Sequence, residues 1–89
     1  MYGDGLTSGV IDGTTRIFHV NTGNMAGDLT VQMRGPKGGF AVKKSRDVGD
    51  DRVLNVEYTP TMAGDYIVNV LWMGVHIEGS PKHLSMKNN

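Results

Sequence analysis

The chain has 89 residues, enough for one domain with a single core, and nine basic residues balance nine acidic ones. This zero net charge argues against a dedicated nucleic-acid-binding domain. The absence of cysteine excludes disulfides, thiolate catalysis and cysteine zinc sites, and it fits a reducing compartment. No stretch of about 18 apolar residues is present, so no membrane-spanning helix and no membrane insertion are predicted.

Apolar and polar residues alternate with a period of two along the chain, between clusters of Gly, Asp and Asn. No segment shows helical periodicity over three turns. The predicted strands are A (near 5–11, broken), B (16–22), C (28–34), D (40–45), E (53–58), F (65–72) and G (82–87). The whole chain, 1–89, is predicted to be one domain, with 1–4 as a linker and 88–89 as a tail.

Seven short strands at this spacing predict an all-β fold, a seven-stranded immunoglobulin-like antiparallel β-sandwich. Tyr66 follows a glycine turn at the start of F, where such folds place a tyrosine corner. Trp72 is expected to be buried, with a cost of roughly 3–5 kcal/mol for Trp72→Ala. The residues predicted to face inward are Phe18, Val20, Leu29, Val31, Met33, Leu54, Val56, Tyr58, Tyr66, Val68, Val70, Trp72, Leu84 and Met86.

The most specific motifs lie in the last third of the chain. They are Tyr58-Thr59-Pro60, Gly64-x-Tyr66 and Gly74-x-His76-Ile77-x-Gly79-Ser80-Pro81, and Ala26-Gly27-Asp28-Leu29 precedes them. In this layout the chain resembles the filamin-type immunoglobulin-like repeat, which stacks into rods in actin-crosslinking proteins.

The resemblance implies a non-catalytic structural and interaction repeat of a cytoplasmic, cytoskeletal protein, without cofactors. Its partners would be neighbouring repeats and peptides from cytoplasmic tails or adaptor proteins, while actin would bind a separate domain. An alternative context is a filamin-type repeat within a multidomain ubiquitin ligase. Homodimerisation through the C–D edge is a third possibility.

In this family a partner peptide adds as a strand to the exposed edge of C and packs against D. The resemblance therefore implies Thr30 and Gln32 on C, together with 40–43 on D, as binding residues. If Phe40 and Val42 face the groove, it is apolar; if Ala41 and Lys43 face it, it is mostly polar. The alternation leaves both open. Ile67 and Leu71 lie on the outward side of F. One interpretation is a small patch for packing against a neighbouring repeat or a partner. The other is that they are single exposed apolar residues without a function, which are common.

A basic cluster spans the predicted C and D strands, with no acidic residue between Leu29 and Arg46. Its members are Arg34, Lys37, Lys43, Lys44 and Arg46. One interpretation is an electropositive edge that recruits an acidic peptide or an anionic lipid. The other is edge protection, because lysines on edge strands deter aggregation.

Other candidate sites have ordinary structural explanations. The spacing of His19, His76 and His83 matches no metal-ligand motif, so no metal site is predicted. The glycine-rich segment at 3–8 lacks the strand and helix that a phosphate loop requires. Turn aspartates such as Asp47 are expected to accept hydrogen bonds from local backbone N–H groups. No enzymatic activity is predicted.

Overall fold

The computed structural model describes residues 1–23, 29–50 and 52–88. These residues form nine β-strands and a short 3-10 helix at Asp4–Leu6. The strands are β1 (Gly9–Ile11), β2 (Arg16–Asn21), β3 (Leu29–Gly35), β4 (Gly38–Phe40), β5 (Lys43–Arg46), β6 (Val53–Tyr58), β7 (Gly64–Trp72), β8 (Val75–His76) and β9 (Lys82–Asn88). Within the described residues, no helix has the length and hydropathy needed to cross a bilayer.

The strands form two sheets, which confirms the predicted β-sandwich. The first sheet has the order β1-β9-β7-β3-β4, with β8 added to β7, and the second has the order β2-β6-β5. Predicted strands B, C, E, F and G correspond to β2, β3, β6, β7 and β9. The expected start of C at Asp28, and Ala26-Gly27 before it, lie outside the described residues.

The first strand is broken, as expected, but its second half departs from the antiparallel rule. β1 pairs with β9 in parallel, with Gly9 opposite Met86. The first half is instead the 3-10 helix, in which Gly5 is buried. A Cβ at Gly5 would lie 2.6 Å from the carbonyl oxygen of Ile17, so a larger residue does not fit there. The sandwich is therefore not wholly antiparallel.

Residues predicted to form a linker and a tail take part in backbone pairing. Residues 1–4, expected to be a linker, include Tyr2, whose backbone exchanges hydrogen bonds of 3.0 and 2.7 Å with His19. Asn88, expected to belong to a tail, is the last residue of β9 and lies opposite Ile11. Asn89 lies outside the described residues.

The predicted strand D is wrong as a single element, because it divides between the two sheets. Phe40 ends β4, which pairs with β3 in the first sheet, whereas Lys43 begins β5, which pairs with β6 in the second. The ring of Phe40 packs edge-on against Tyr66 at 5.3 Å, which fixes the last residue of β4 on the core. Ala41 and Val42 then cross between the sheets.

The core lies between the sheets and contains most of the residues predicted to face inward. Leu29 and Leu54 are half-buried and pack against this core. Trp72 is the exception, with 37% of its surface exposed, so the prediction of burial is wrong. It is the last residue of β7, beyond Val70, and the hairpin that follows exposes Met73 and Val75. The alternation of apolar and polar residues continues to Trp72, but the buried core of this strand ends at Val70.

The tyrosine corner is confirmed. The hydroxyl of Tyr66 donates to the carbonyl oxygen of Met62 at 2.6 Å, and its ring packs closely on Gly35. Gly64, two residues before it, has φ of 139°, and a Cβ there would lie 2.6 Å from Pro36. Only glycine meets both demands without strain.

The carboxylate of Asp47 organises the first part of the turn between β5 and β6. Asp47 accepts a hydrogen bond from the side-chain amide of Asn55 at 3.1 Å, and from the backbone N–H groups of Gly49 and Asp50 at 3.0 and 3.1 Å. These donors, led by Asn55, hold the pKa of Asp47 below its ordinary value. Asn55 in turn contacts the imidazole of His19 at 2.7 Å, so the turn is tied to β2. The expectation for this turn aspartate is confirmed, while Asp51 lies outside the described residues.

Truncation of a core ring and of Trp72 should have different effects on stability. Phe18→Ala should lower the free energy of unfolding by about 3–5 kcal/mol, because it leaves a cavity in a closed core. Trp72→Ala should cost clearly less, since water already reaches the indole. Urea unfolding of both variants measures the difference, and equal losses would contradict the placement of Trp72.

The stabilising effect of Asp47 should depend on pH. Its pKa is depressed in the folded state, so its contribution is present above the unfolded pKa of about 3.9 and is lost as pH falls through the folded value. The gap in unfolding free energy between wild type and Asp47→Asn should therefore narrow between about pH 6 and pH 3. The same pair in an Asn55→Ala background serves as the control, and there the pH dependence should weaken. A gap that stays constant with pH would refute this assignment.

Candidate functional site

One edge of β3 is only partly paired. β3 pairs with β7 from Leu29 to Arg34, but on its other side β4 covers only Met33 to Gly35. From Leu29 to Gln32 that other side has no strand partner among the described residues. Alternate residues of a strand direct their N–H and C=O groups to each side, so this stretch offers unused backbone groups.

A second open edge lies across from it. Within the part of the chain that the structure describes, β5 pairs only with β6, and all four of its residues are exposed. Residues of β3 and β5 line a common groove of about 510 Å³, here called the edge groove. Its lining residues are Val31, Gln32, Met33, Arg34, Gly39, Phe40, Val42 and Lys44.

The edge groove has an apolar floor and a polar rim. Val31 and Met33 are buried in the core, and Phe40 and Val42 are half-buried against it. Gln32, Arg34 and Lys44 are exposed. The question that the sequence left open therefore resolves toward Phe40 and Val42, and the floor of the groove is apolar.

The remaining predicted residues lie around this floor. Ala41 and Lys43 are exposed and line a second groove, which also contains Thr15, Glu57, Tyr58 and Thr59. Phe40 and Val42 belong to the walls of both grooves. Thr30 lies exposed on the open stretch of β3 but does not line either groove. Of the predicted set, the structure brings Gln32, Phe40 and Val42 together in the edge groove.

Sequence reasoning missed part of the lining. Val31 and Met33 were assigned to the core only, although they also form the floor of the groove. Arg34 and Lys44 were recognised as basic but not as groove residues. The signal for them was present in the basic cluster, which has no acidic residue from Leu29 to Arg46.

The basic side chains near the edge groove differ in the residues that they contact. Lys43 lies opposite Glu57 in the β5–β6 pair, and Arg46 donates to the hydroxyl of Thr22 at 3.0 Å. No ion pair or side-chain hydrogen bond joins Arg34 or Lys44 to another described residue. The edge groove therefore presents two cationic groups at an apolar surface.

The proposed packing patch on β7 is interrupted. Ile67 and Leu71 are half-buried on its outward side, and Asn69 lies between them. Ile67 lies between Arg34 and His83 of the adjacent strands, while Leu71 lies opposite Thr30 and His76.

Several polar side chains that could suggest a chemical site have structural partners instead. Burial raises the pKa of Tyr58, whose hydroxyl donates to the carbonyl oxygen of Gly5, so the phenol stays protonated as a donor. The imidazole of His76 contacts the hydroxyl of Ser80 at 2.6 Å, and that hydroxyl accepts from the N–H of Val70. Among the described residues, no group of three or more His, Asp or Glu could hold a metal ion.

Comparison with known proteins relates the whole sandwich to one family. A family model described as the Filamin/ABP280 repeat matches residues 1–83. Filamin-A of Drosophila melanogaster is 39% identical over 78 residues, covering 83% of this chain and 3% of that protein. Filamin-C of Rattus norvegicus is 41% identical over 66 residues, covering 74% of this chain and 2% of that protein. The chain thus spans 2–3% of the length of these relatives.

A solved structure agrees in fold. The crystal structure of the Lin-41 filamin domain superposes with a TM-score of 0.78, covering 97% of this chain and 87% of that chain. At 16% identity, this likeness shows the fold alone. The family model, by contrast, matches nearly the entire sequence. The chain belongs to the Filamin/ABP280 repeat family.

Proposed function

We propose that this chain is a structural and protein-interaction repeat that binds an extended peptide by strand addition in the edge groove. The observation that carries this proposal is the unpaired stretch of β3, Leu29 to Gln32, directly above an apolar floor. Filamin repeats as a family are structural and interaction domains, and this chain belongs to that family.

The exposed backbone of β3 would supply affinity. An added strand replaces water on the N–H and C=O groups that face away from β7, and it extends the first sheet by one strand. The paired length is short, because β4 occupies β3 from Met33 onward. A partner would therefore pair over about four residues before it reaches the segment that crosses between the sheets.

The apolar floor would supply selectivity. Side chains of an added strand alternate between solvent and groove, so every second residue would meet Val31, Phe40 or Val42. Small or medium apolar side chains match this half-buried surface. Thr30 and Gln32 would flank the outward side chains of the same peptide. Ala41 and Lys43 lie where the peptide would leave the groove.

The wider roles belong to the parent protein and extend this proposal. As one repeat of a filamin-like protein in the cytoplasmic cytoskeleton, the chain would set spacing in a rod and contact neighbouring repeats at Ile67 and Leu71. Actin crosslinking would depend on another domain. We propose no catalytic activity for the repeat itself.

Two alternatives to a peptide-binding repeat of a filamin rod remain to be distinguished by experiment. A repeat within a multidomain ubiquitin ligase would have the same fold, but the relatives at 39–41% identity are filamins, which favours the rod. Two copies could also pair through the open edge of β3. Sedimentation at high concentration separates this case, because a homodimer would block peptide binding at the same edge.

A blocked seven-residue peptide that alternates serine and valine should shift the backbone amides of 29–32 and 42–44 in a titration followed by NMR. Val42→Asn should weaken its binding about tenfold, roughly 1.4 kcal/mol, because the floor becomes polar. Val10→Asn is the matched control, since Val10 is an exposed valine on β1 at the opposite edge of the first sheet.

This control variant should bind as wild type does. Amide shifts confined to β1, β2 or β9 would contradict strand addition at β3. Equal affinity of the Val42→Asn variant and wild type would show that the edge groove is not the binding surface.

A further inference from the structure

We propose that the edge groove selects a peptide with a carboxylate at a groove-facing position, and that Lys44 binds this carboxylate. The inference rests on the strand addition proposed above and names the chemical class of its ligand. It depends on the direction of the Lys44 side chain, on the charges around it and on the apolar floor below it.

The register of β5 directs Lys44 toward the gap between the sheets. Lys44 lies opposite Val56, which has no exposed surface, and residues directly opposite in an antiparallel pair project to the same face. Arg46 shares this orientation, since its guanidinium reaches the buried hydroxyl of Thr22. Because β5 is the edge of its sheet, Lys44 has no core to enter and lines the groove instead.

Among the described residues that line the edge groove, Lys44 has no counter-charge. The lining residues of the edge groove include two cations, Lys44 and Arg34, and no carboxylate. Glu57 lies opposite Lys43 and lines the second groove. A carboxylate brought in by a peptide would meet Lys44 beside Phe40 and Val42, where low polarity strengthens the attraction relative to open water.

An inward-directed lysine also disfavours the pairing of a neutral strand beside it. Inward charges on edge strands oppose aggregation, since a neutral strand would bury the ammonium group without a partner. A strand with a groove-facing Asp or Glu removes this cost. Lys44 thereby weakens the binding of neutral strands relative to acidic ones, so the preference arises in part from an unfavourable alternative.

The geometry favours a peptide over an anionic lipid surface. A lipid headgroup plane would need cations that project together from one exposed face, whereas Lys44 points into a groove that has room for an extended chain. Lys43 has the opposite orientation in the strand, because it lies across from the partly exposed Glu57. The cations of β5 thus do not form one flat surface.

The test uses three blocked peptides in the alternating serine–valine series. In the first peptide the central valine is replaced by glutamate, and in the second it is replaced by glutamine. In the third the central valine is kept and a serine beside it is replaced by glutamate. Because the valines face the groove, the first should bind at least about fivefold more tightly than the second, and this preference should fall as salt is added. The third should not depend on Lys44, since its glutamate faces solvent.

Variants of the protein assign the effect. Lys44→Gln should abolish the preference for glutamate over glutamine, and Lys44→Glu should reverse it. Lys87→Gln is the matched control, because Lys87 is an exposed lysine on β9 in the opposite part of the first sheet. Urea unfolding verifies that each variant folds, and Lys44 is exposed, so neither replacement removes a core contact.

The outcomes separate the two proposals. If no peptide shifts the amides of 29–32, strand addition itself fails. If the glutamate and glutamine peptides bind there equally, strand addition stands and the carboxylate preference is overturned. A preference that survives in Lys44→Gln overturns the role of Lys44. If Lys44→Gln weakens binding to phosphatidylserine vesicles but leaves peptide affinities unchanged, the basic edge is a lipid surface and the proposal is wrong.

Discussion

The contact between Phe40 and Tyr66 determines how the open side of this molecule is built. Tyr66 is held by the tyrosine corner and packs on Gly35, so it offers Phe40 a fixed surface. β4 ends where Phe40 docks on this ring, and the chain then crosses to the second sheet. If the chain instead continued beside β3, it would cover the edge from Leu29 to Gln32, and no groove would remain.

Strands whose pattern depends on burial alone could be predicted from the sequence. β2 and most of β7 alternate between core and surface residues, and β6 does so from Leu54 to Tyr58, because each of these stretches faces the core on one side. The predicted strand D failed for a related reason. Side-chain alternation reports which face is buried, but it contains no information about the strand that accepts the backbone hydrogen bonds. A chain can change sheets at Ala41 and Val42 without any break in its pattern.

The candidate site was only partly predictable for the same reason. The sequence indicated the region, through the resemblance and through the basic cluster, but it did not determine whether Phe40 or Ala41 faces the groove. Which of these residues faces the groove depends on the position at which the chain crosses between the sheets. The tertiary contact of Phe40 with Tyr66 sets this position. Trp72 shows the converse case, since its parity matched the core row of β7 although the core ends at Val70.

The parallel pairing of β1 with β9 has a mechanical consequence. These are the first and last strands of the described chain, and they run side by side in the same direction. A force that pulls the start of β1 away from the end of β9 acts along both strands, so it loads all the hydrogen bonds between them at the same time. Antiparallel terminal strands under the same force would separate from one end, and their hydrogen bonds would break one after another. The parallel pairing of β1 with β9, the one exception to the antiparallel pattern among the described strands, is thus oriented to resist extension in shear.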